Sequence, residues 1–184
     1  MQTARSGRYA SLGRPAFITD ELLDAVAREA RELRSSAEAT GPERGQAGQL
    51  TASPGPLARR LVVHRGWRAL CRDAFGYEPQ KPFHAAYLYY DTPGAGIVPH
   101  VDDPAFAVNL LFMVSRSCTG EQRSATVLHP PGSDLVRVVL EPGEALLLEA
   151  DALVHAREPM QAGEDVTLLS MGFQSPMTAY ESPT

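Results

Sequence analysis

The chain has 184 residues, of which 43% are hydrophobic and 21% charged, which is the size and balance of one globular domain. Its net charge of −5 argues against a basic face for nucleic acid or anionic lipid. No apolar run reaches the length of about 18 residues that a membrane-spanning helix needs. Cys71 and Cys118 are too few for a disulfide framework, and the N-terminus lacks the apolar region of a secretory signal. We therefore expect a cytoplasmic protein.

A helical buttress is predicted for residues 1–75. A polar arm with a short strand near 16–18 comes first, and a helix then begins at Thr19 or Asp20, either of which can cap it. The apolar positions of this helix keep a helical period: Leu22, Leu23, Val26, Ala30 and Leu33. A second helix is predicted over 57–75.

The segment 35–56 between these helices is rich in Pro and Gly and has little to bury. We predict a long mobile loop there. A loop of this length in a compact domain is either a disordered link or a functional lid, and the sequence leaves both interpretations open.

Residues 76–175 are predicted to form a jelly-roll core, because the pattern changes to short β-type runs separated by Pro and Gly. Eight such runs at intervals of roughly 8 to 12 residues are typical of a sandwich or jelly-roll barrel. They are 83–90, 97–101, 106–114, 125–129, 135–140, 145–149, 153–156 and 166–173. The expected fold is mainly β, a cupin-like double-stranded β-helix buttressed by two N-terminal helices, with residues 1–184 forming a single domain.

Three residues have the composition of an open metal site. His100 and Asp102 lie two residues apart at the end of a predicted strand, where such residues face the same side. His155 follows on a later strand, 55 residues after His100 (155 − 100). Two imidazoles and one carboxylate bind Fe(II) while leaving positions open for a cosubstrate and O₂, whereas a closed set of four ligands is structural. Zn²⁺ suits the same three residues, so the sequence does not separate the two metals.

The stretch around these residues resembles the Fe(II)/2-oxoglutarate-dependent dioxygenase superfamily. The segment His-Val-Asp-Asp-Pro at 100–104, an upstream Tyr89 or Tyr90 and the distal His155 are similar to the prolyl-hydroxylase-like branch. The resemblance covers about residues 87–173 and implies that His100, Asp102 and His155 bind iron. It also implies that 2-oxoglutarate and O₂ are consumed while a C–H bond is oxidised. Because Asp102 is present, hydroxylation or a related oxidation is favoured over halogenation.

The basic residue that such enzymes usually carry after the distal His is missing. Glu164 and Asp165 stand in its place, and two acids there would repel a carboxylate, although Thr167 matches the hydroxyl often found just beyond. Three residues are candidates for binding the far carboxylate of 2-oxoglutarate in its stead: Arg116, Arg123 and Arg157. Arg157 shares a strand face with His155 if the strand is regular. The remaining alternative is that the protein does not use 2-oxoglutarate.

Two further side chains are candidates for cosubstrate binding. One of the tyrosines Tyr87, Tyr89 and Tyr90 is expected to donate its hydroxyl to a cosubstrate oxygen, and we select Tyr89. Asn109 is expected to face the cavity and donate its amide to cosubstrate or substrate. A packing role in the core remains the alternative for each of them.

The sequence therefore predicts a non-haem Fe(II) oxygenase, dependent on 2-oxoglutarate, that oxidises a small metabolite such as an amino acid or a biosynthetic intermediate. No nucleic acid or membrane partner is expected, and the protein is expected to be a monomer or a homodimer. One alternative is a related iron oxidase or dioxygenase that has no 2-oxoglutarate step. The other is a cupin-like metal-binding protein without enzymatic activity.

Overall fold

The computed structural model describes residues 5–6, 8–40 and 47–175, and this part of the chain is mainly β. Its strands are β1 Arg5–Ser6, β2 Tyr9–Leu12, β3 Glu38–Ala39, β4 Leu50–Ala52, β5 Pro82–Tyr90, β6 Ile97–His100, β7 Val108–Cys118, β8 Thr126–His129, β9 Val136–Val138, β10 Ala145–Glu149, β11 Val154–Arg157 and β12 Glu164–Phe173. Its helices are α1 Asp20–Leu33, α2 Pro56–Val62 and α3 Arg65–Phe75, with a 3-10 turn at Arg34–Ser36. No helix among these residues is long and apolar enough to cross a membrane.

The strands form two antiparallel sheets, as the jelly-roll prediction requires. The large sheet has the order β1-β2-β10-β7-β12-β5-β4-β3, and the small sheet has the order β6-β11-β8-β9. All eight strands predicted after residue 76 are present, and their bounds differ from the predicted ones by a few residues. The prediction of a mainly β fold with flanking helices is therefore confirmed.

The large sheet is buried on both faces because its side chains alternate between two apolar clusters. On β12, Leu169 and Met171 pack with the helices, whereas Val166 and Leu168 pack in the second cluster, between the two sheets. The helix-side cluster is closed by residues of all three helices, among them the fully buried Trp67. The second cluster is the interior of the jelly roll, and the candidate site opens from it.

The predicted helix at 57–75 is two helices, and this prediction is corrected. The chain leaves α2 at Val62 and restarts at His64, whose Nδ1 accepts a hydrogen bond of 3.2 Å from the Gly66 backbone N–H as the N-cap of α3. The break lets the Trp67 indole N–H donate to the Leu61 carbonyl at 2.9 Å while its ring is buried. Helix α1 begins as predicted, with Thr19 Oγ1 accepting from Leu22 N.

Strand positions in the N-terminal part also differ from prediction. The strand expected near 16–18 is absent from that stretch, and β2 lies earlier, paired with β10 of the large sheet. The described part of 35–56 is not loop throughout, since β3 and β4 pair with each other and β4 extends the large sheet beside β5. Residues 41–46 lie outside the described residues, and the mobility of this segment and the single-domain organisation stay predictions.

Glu29 links the helices to the sheet, and its removal should destabilise the fold. Its carboxylate accepts hydrogen bonds from the Leu57 and Ala58 backbone N–H groups at 2.7 and 3.0 Å and from the Tyr87 hydroxyl at 2.9 Å. Glu29→Ala removes the acceptor of the Leu57 and Ala58 N–H groups and leaves the Tyr87 hydroxyl only the Val26 carbonyl, 3.4 Å away. We therefore expect the free energy of unfolding to fall by roughly 3 kcal/mol. Glu32→Ala, an exposed change on the same helix, should alter it by less than about 0.5 kcal/mol in the same urea titration.

Candidate metal centre

The small sheet brings together the three residues predicted to bind a metal. His100 ends β6 and is the direct antiparallel partner of His155 on β11, with ring centroids 4.4 Å apart. Asp102 lies in the turn after β6, where its backbone N–H donates to the Ala150 carbonyl at 2.9 Å. We call His100, Asp102 and His155 the metal triad.

The donor atoms of the metal triad converge on one point. His100 Nε2 lies 3.6 Å from Asp102 Oδ1, and His155 Nε2 lies 3.7 Å from Asp102 Oδ2. One donor atom from each of the three residues lies within 4.8 Å of the others. This spacing allows a single ion to contact two imidazoles and a carboxylate, which is the facial arrangement of non-haem iron sites.

Backbone carbonyls orient both imidazoles of the metal triad. His100 Nδ1 lies 2.9 Å from the Val98 carbonyl oxygen, and His155 Nδ1 lies 3.0 Å from that of Leu153. A carbonyl oxygen only accepts, so each Nδ1 carries the hydrogen and each Nε2 keeps its lone pair. Both rings therefore present Nε2 to a metal, with the second nitrogen held as in established metal sites.

The charges of the metal triad suit a cation. Burial acts to raise the pKa of Asp102, but hydrogen bonds with His100 and Asn109 and the nearby His155 outweigh it and hold the pKa below its usual value. Burial lowers the pKa of His155, against the attraction of Asp102. The hydrogen bond with Asp102 raises the pKa of His100, and a bound cation opposes that protonation because both would occupy Nε2. A carboxylate and unprotonated imidazoles are the forms that bind metals.

Asn109 orients Asp102, in addition to its predicted contact with cosubstrate or substrate, which stays a prediction. Its Nδ2 donates to Asp102 Oδ2 at 2.9 Å, and its Oδ1 accepts from Ser170 Oγ at 3.0 Å. Asn109 lines the cavity, as predicted, and Asp102 takes one of the two hydrogens on its Nδ2. It therefore acts by fixing the direction of a ligand carboxylate.

Loss of this support should weaken metal binding. We expect Asn109→Ala to lower Fe(II) affinity by about 10- to 100-fold, the usual effect of removing a residue that orients a ligand. Ser170→Ala, one bond further out, should have a smaller effect in the same direction. Anaerobic Fe(II) titration of both variants provides the measurement, and equal affinity of Asn109→Ala and the parent protein would contradict this role.

A cavity of about 730 Å³ opens beside the metal triad, between the two sheets. Its volume lies in the range of small-molecule sites, about 300 to 1,000 Å³. Strand β5 contributes five residues to its lining: Phe83, His84, Ala86, Leu88 and Tyr90. The segment 35–56 contributes Thr40, Gln49 and Thr51 to its lining.

No protein-family model and no curated protein matches the chain, but solved structures do. A Pseudomonas putida prolyl-4-hydroxylase has 15% identity and a TM-score of 0.72, covering 91% of this chain and 92% of that chain. The non-haem α-ketoglutarate-dependent epimerase SnoN from nogalamycin biosynthesis has 19% identity and a TM-score of 0.75, covering 93% and 78%. A 2OG-Fe(II) oxygenase-family oxidoreductase from Burkholderia pseudomallei has 12% identity and a TM-score of 0.69, covering 96% and 88%.

The chain has the fold of the Fe(II)/2-oxoglutarate oxygenases. The resemblance seen in the sequence is thereby confirmed at the level of the fold. The two histidines of the metal triad lie on neighbouring strands of the small sheet, and Asp102 lies in the turn that follows one of them. The other residues that line the cavity show which side chains are available to bind a cosubstrate.

Arg157 is the basic residue that the cavity contains. It lies two residues beyond His155 on β11, is 5% exposed and lines the cavity. Its Nη2 donates to Ser124 Oγ at 2.7 Å, whereas Nε has no hydrogen-bond partner within the described part of the chain. Burial lowers the pKa of Arg157 to about 10, so the side chain is cationic at neutral pH. An anionic ligand would pair with this buried cation and accept a hydrogen bond from its unpaired N–H.

The acid at the usual position of the basic residue is neutralised by Arg116. Glu164 Oε1 lies 3.7 Å from Arg116 Nη2, and both side chains are almost completely buried. Glu164 also accepts from the Ser124 backbone N–H at 3.1 Å. Two arginines, Arg116 and Arg157, therefore outweigh Glu164 at this end of the barrel, whereas Asp165 is exposed. The repulsion expected from these two acids stays a prediction.

Four of the residues predicted as candidates for cosubstrate binding do not line the cavity. Tyr89 faces the helices and donates its hydroxyl to the Ala30 carbonyl at 2.8 Å. Thr167 is the cross-strand partner of Tyr89 and shares its face. Arg123 pairs with Glu141 on the exposed surface. Arg116 is close to Arg157 in the barrel but does not line the cavity.

Tyr90 is the tyrosine that lines the cavity. Its hydroxyl donates to Gln49 Oε1 at 2.6 Å, and its ring centroid lies 5.4 Å from the guanidinium carbon of Arg157. Adjacent residues of a strand face opposite sides, so Tyr90 and Tyr89 point in opposite directions on β5. This alternation was the signal in the sequence that could have identified Tyr90. Gln49 gave no signal, because it lies in a segment predicted as loop.

Proposed function

We propose that this protein is a non-haem Fe(II) oxygenase that uses 2-oxoglutarate to hydroxylate or otherwise oxidise a small molecule. The observation that carries the proposal is the presence, in one cavity, of the metal triad and of a buried cation with an unpaired N–H, Arg157. These are the two features that a cosubstrate with a keto acid at one end and a carboxylate at the other requires.

The residues of this chain would hold the metal and orient the cosubstrate. His100, Asp102 and His155 would hold Fe(II), which supplies the coupled reduction of O₂ and oxidative decarboxylation of 2-oxoglutarate. Arg157 would bind the far carboxylate, and Tyr90, packed beside it, would fix the guanidinium plane. For a hydroxylation the balance is RH + O₂ + 2-oxoglutarate → ROH + CO₂ + succinate.

Two observations support a small-molecule substrate. The cavity volume of about 730 Å³ has room for a metabolite beside the cosubstrate, and a net charge of −5 disfavours nucleic acid. Among the structural neighbours, SnoN was crystallised with Fe³⁺, α-ketoglutarate and nogalamycin RO. An amino acid or a biosynthetic intermediate stays the predicted substrate, and a monomer or homodimer the predicted assembly.

Anaerobic absorption spectroscopy tests the cosubstrate. Addition of 2-oxoglutarate to the Fe(II)-loaded protein should produce a weak visible charge-transfer band, because a keto acid that chelates iron gives one. Succinate, which has both carboxylates but no keto group, is the matched control and should give no band. Tight Fe(II) binding without a band would instead identify an oxidase or dioxygenase independent of 2-oxoglutarate. Failure to bind Fe(II) would identify a cupin-like metal-binding protein, for which Zn²⁺ titration is the next measurement.

A further inference from the structure

Three aromatic rings form one side of the cavity next to the metal triad. Phe83 and Phe106 have ring centroids 5.0 Å apart, and His84 and Phe106 have centroids 5.6 Å apart with an interplanar angle of 28°. All three line the cavity, and Phe83 is 47% exposed although it is a large apolar side chain. We call Phe83, His84 and Phe106 the aromatic wall.

The backbone fixes the aromatic wall beside the metal triad. Phe106 follows the turn that carries Asp102, and its N–H donates to the Asp103 carbonyl at 2.8 Å. Its ring lies directly on Gly172 of β12, where an added Cβ would come within 2.8 Å of the ring. Glycine at this position therefore leaves room for the Phe106 ring against the strand, since any other side chain would meet the ring.

The charges near the aromatic wall disfavour an anion. Arg157 is the one Lys or Arg among the described residues that line the cavity, and the proposed function assigns it to the cosubstrate. Two carboxylates line the same cavity, and because Asp102 belongs to the metal triad, the one left to face a substrate is that of Asp103. Asp103 Oδ1 accepts from the Ala105 N–H at 2.8 Å, and its second oxygen can accept from a ligand hydroxyl or N–H.

We propose that the primary substrate is a planar aromatic or conjugated ring compound without negative charge, held by its ring against the aromatic wall and by a hydroxyl or N–H donor to Asp103. Aromatic faces bind flat rings in offset or edge arrangements, and each ring pair adds roughly two- to tenfold in affinity to the effect of apolar burial. This inference rests on the proposed function, since that function leaves the aromatic wall to the substrate. The inference narrows the predicted class of substrate to ring compounds and excludes free amino acids that lack a ring.

Three probes of matched size separate the contributions of ring and charge. They are 2-naphthol, which is planar and uncharged, 2-naphthoate, which is planar and anionic, and decahydro-2-naphthol, which is uncharged but not planar. Calorimetric titration into the Fe(II)- and 2-oxoglutarate-loaded protein under anaerobic conditions should show that 2-naphthol binds at least threefold more tightly than either of the others. Equal affinities, tighter binding of 2-naphthoate, or no binding of 2-naphthol would overturn the proposal.

Ring removal tests whether the aromatic wall is responsible. Phe106→Leu and Phe83→Leu keep apolar volume but remove a ring, so each should weaken 2-naphthol binding about threefold to tenfold while leaving decahydro-2-naphthol almost unchanged. Phe83→Leu is at an exposed position and tests the proposal even if Phe106→Leu does not fold. Phe75→Leu removes a ring that stacks on Tyr77 outside the cavity and should leave both affinities unchanged.

The two proposals fail separately. Titration of the three probes is repeated on the metal-free protein without 2-oxoglutarate. Binding to the aromatic wall is thereby measured independently of metal and cosubstrate binding. A charge-transfer band with no preference for 2-naphthol overturns the substrate class and leaves the oxygenase proposal standing. A preference for 2-naphthol without the band overturns 2-oxoglutarate use and leaves the ring specificity of the cavity standing.

Discussion

His155→Ala should lower Fe(II) affinity by more than 100-fold and abolish 2-oxoglutarate turnover. Loss of a residue that merely orients a ligand already costs about 10- to 100-fold, and this change removes one of only three ligands. His100 and Asp102 would remain, with their donor atoms 3.6 Å apart, but two protein ligands leave too many positions to water. Competition with a chromophoric Fe(II) chelator under anaerobic conditions measures the affinity, and succinate production measures turnover.

His129→Ala is the matched control for this prediction. His129 lies on β8 and is the cross-strand partner of Val154, the residue that precedes His155. It does not belong to the metal triad. Its variant should bind Fe(II) like the parent protein. If His155→Ala also retained parental affinity while keeping its far-ultraviolet circular dichroism, the metal triad would not be the iron site.

The metal triad was predictable from sequence because its geometry follows from local rules. His100 and Asp102 need only the end of a strand, and His155 needs only a second strand of suitable apolar pattern. The eight strands after residue 76 were predictable for the same reason, since Pro and Gly separate short apolar runs throughout this region. The metal triad and these strands follow mainly from local sequence patterns and depend little on long-range packing.

The cosubstrate residues were harder to predict because β5 and β12 are buried on both faces. Alternation shows that Tyr89 and Tyr90 point in opposite directions, but with apolar neighbours on both sides it does not show which direction leads to the cavity. Thr167 was selected from the resemblance, as the hydroxyl beyond the usual basic position, but it shares the helix-facing side with Tyr89. Tertiary packing, here the position of α1, decides the face.

Glu164 shows how a local charge argument fails in a barrel. The sequence places two acids where a basic residue is expected, but the neutralising Arg116 lies on the neighbouring strand β7. Burial of both partners makes their attraction strong enough to cancel the local field. The charge available to a ligand is then that of Arg157. The sequence names this residue as a candidate, but its burial and its unpaired Nε are seen only in the three-dimensional arrangement.

Arg157→Gln should raise the KM for 2-oxoglutarate at least 30-fold, with a smaller effect on kcat. Truncating one partner of a buried, hydrogen-bonded charge pair costs about 2 to 5 kcal/mol, and about 2 kcal/mol corresponds to that factor. Most of the loss should fall on KM, because the far carboxylate stays bound throughout and does not change in the reaction. Arg157→Lys should recover part of the affinity, since it restores the charge but not the planar donor geometry.

A cosubstrate analogue separates charge recognition from general damage to the cavity. 2-Oxopentanoate keeps the keto acid and the chain length but lacks the far carboxylate, so its KM should be high in the parent protein and almost unchanged in Arg157→Gln. Arg123→Gln, at an exposed pair with Glu141, should alter neither KM. If Arg157→Gln raised both KM values equally, the guanidinium would be supporting the barrel rather than binding the cosubstrate, and Arg116, the next buried cation, would become the residue to replace.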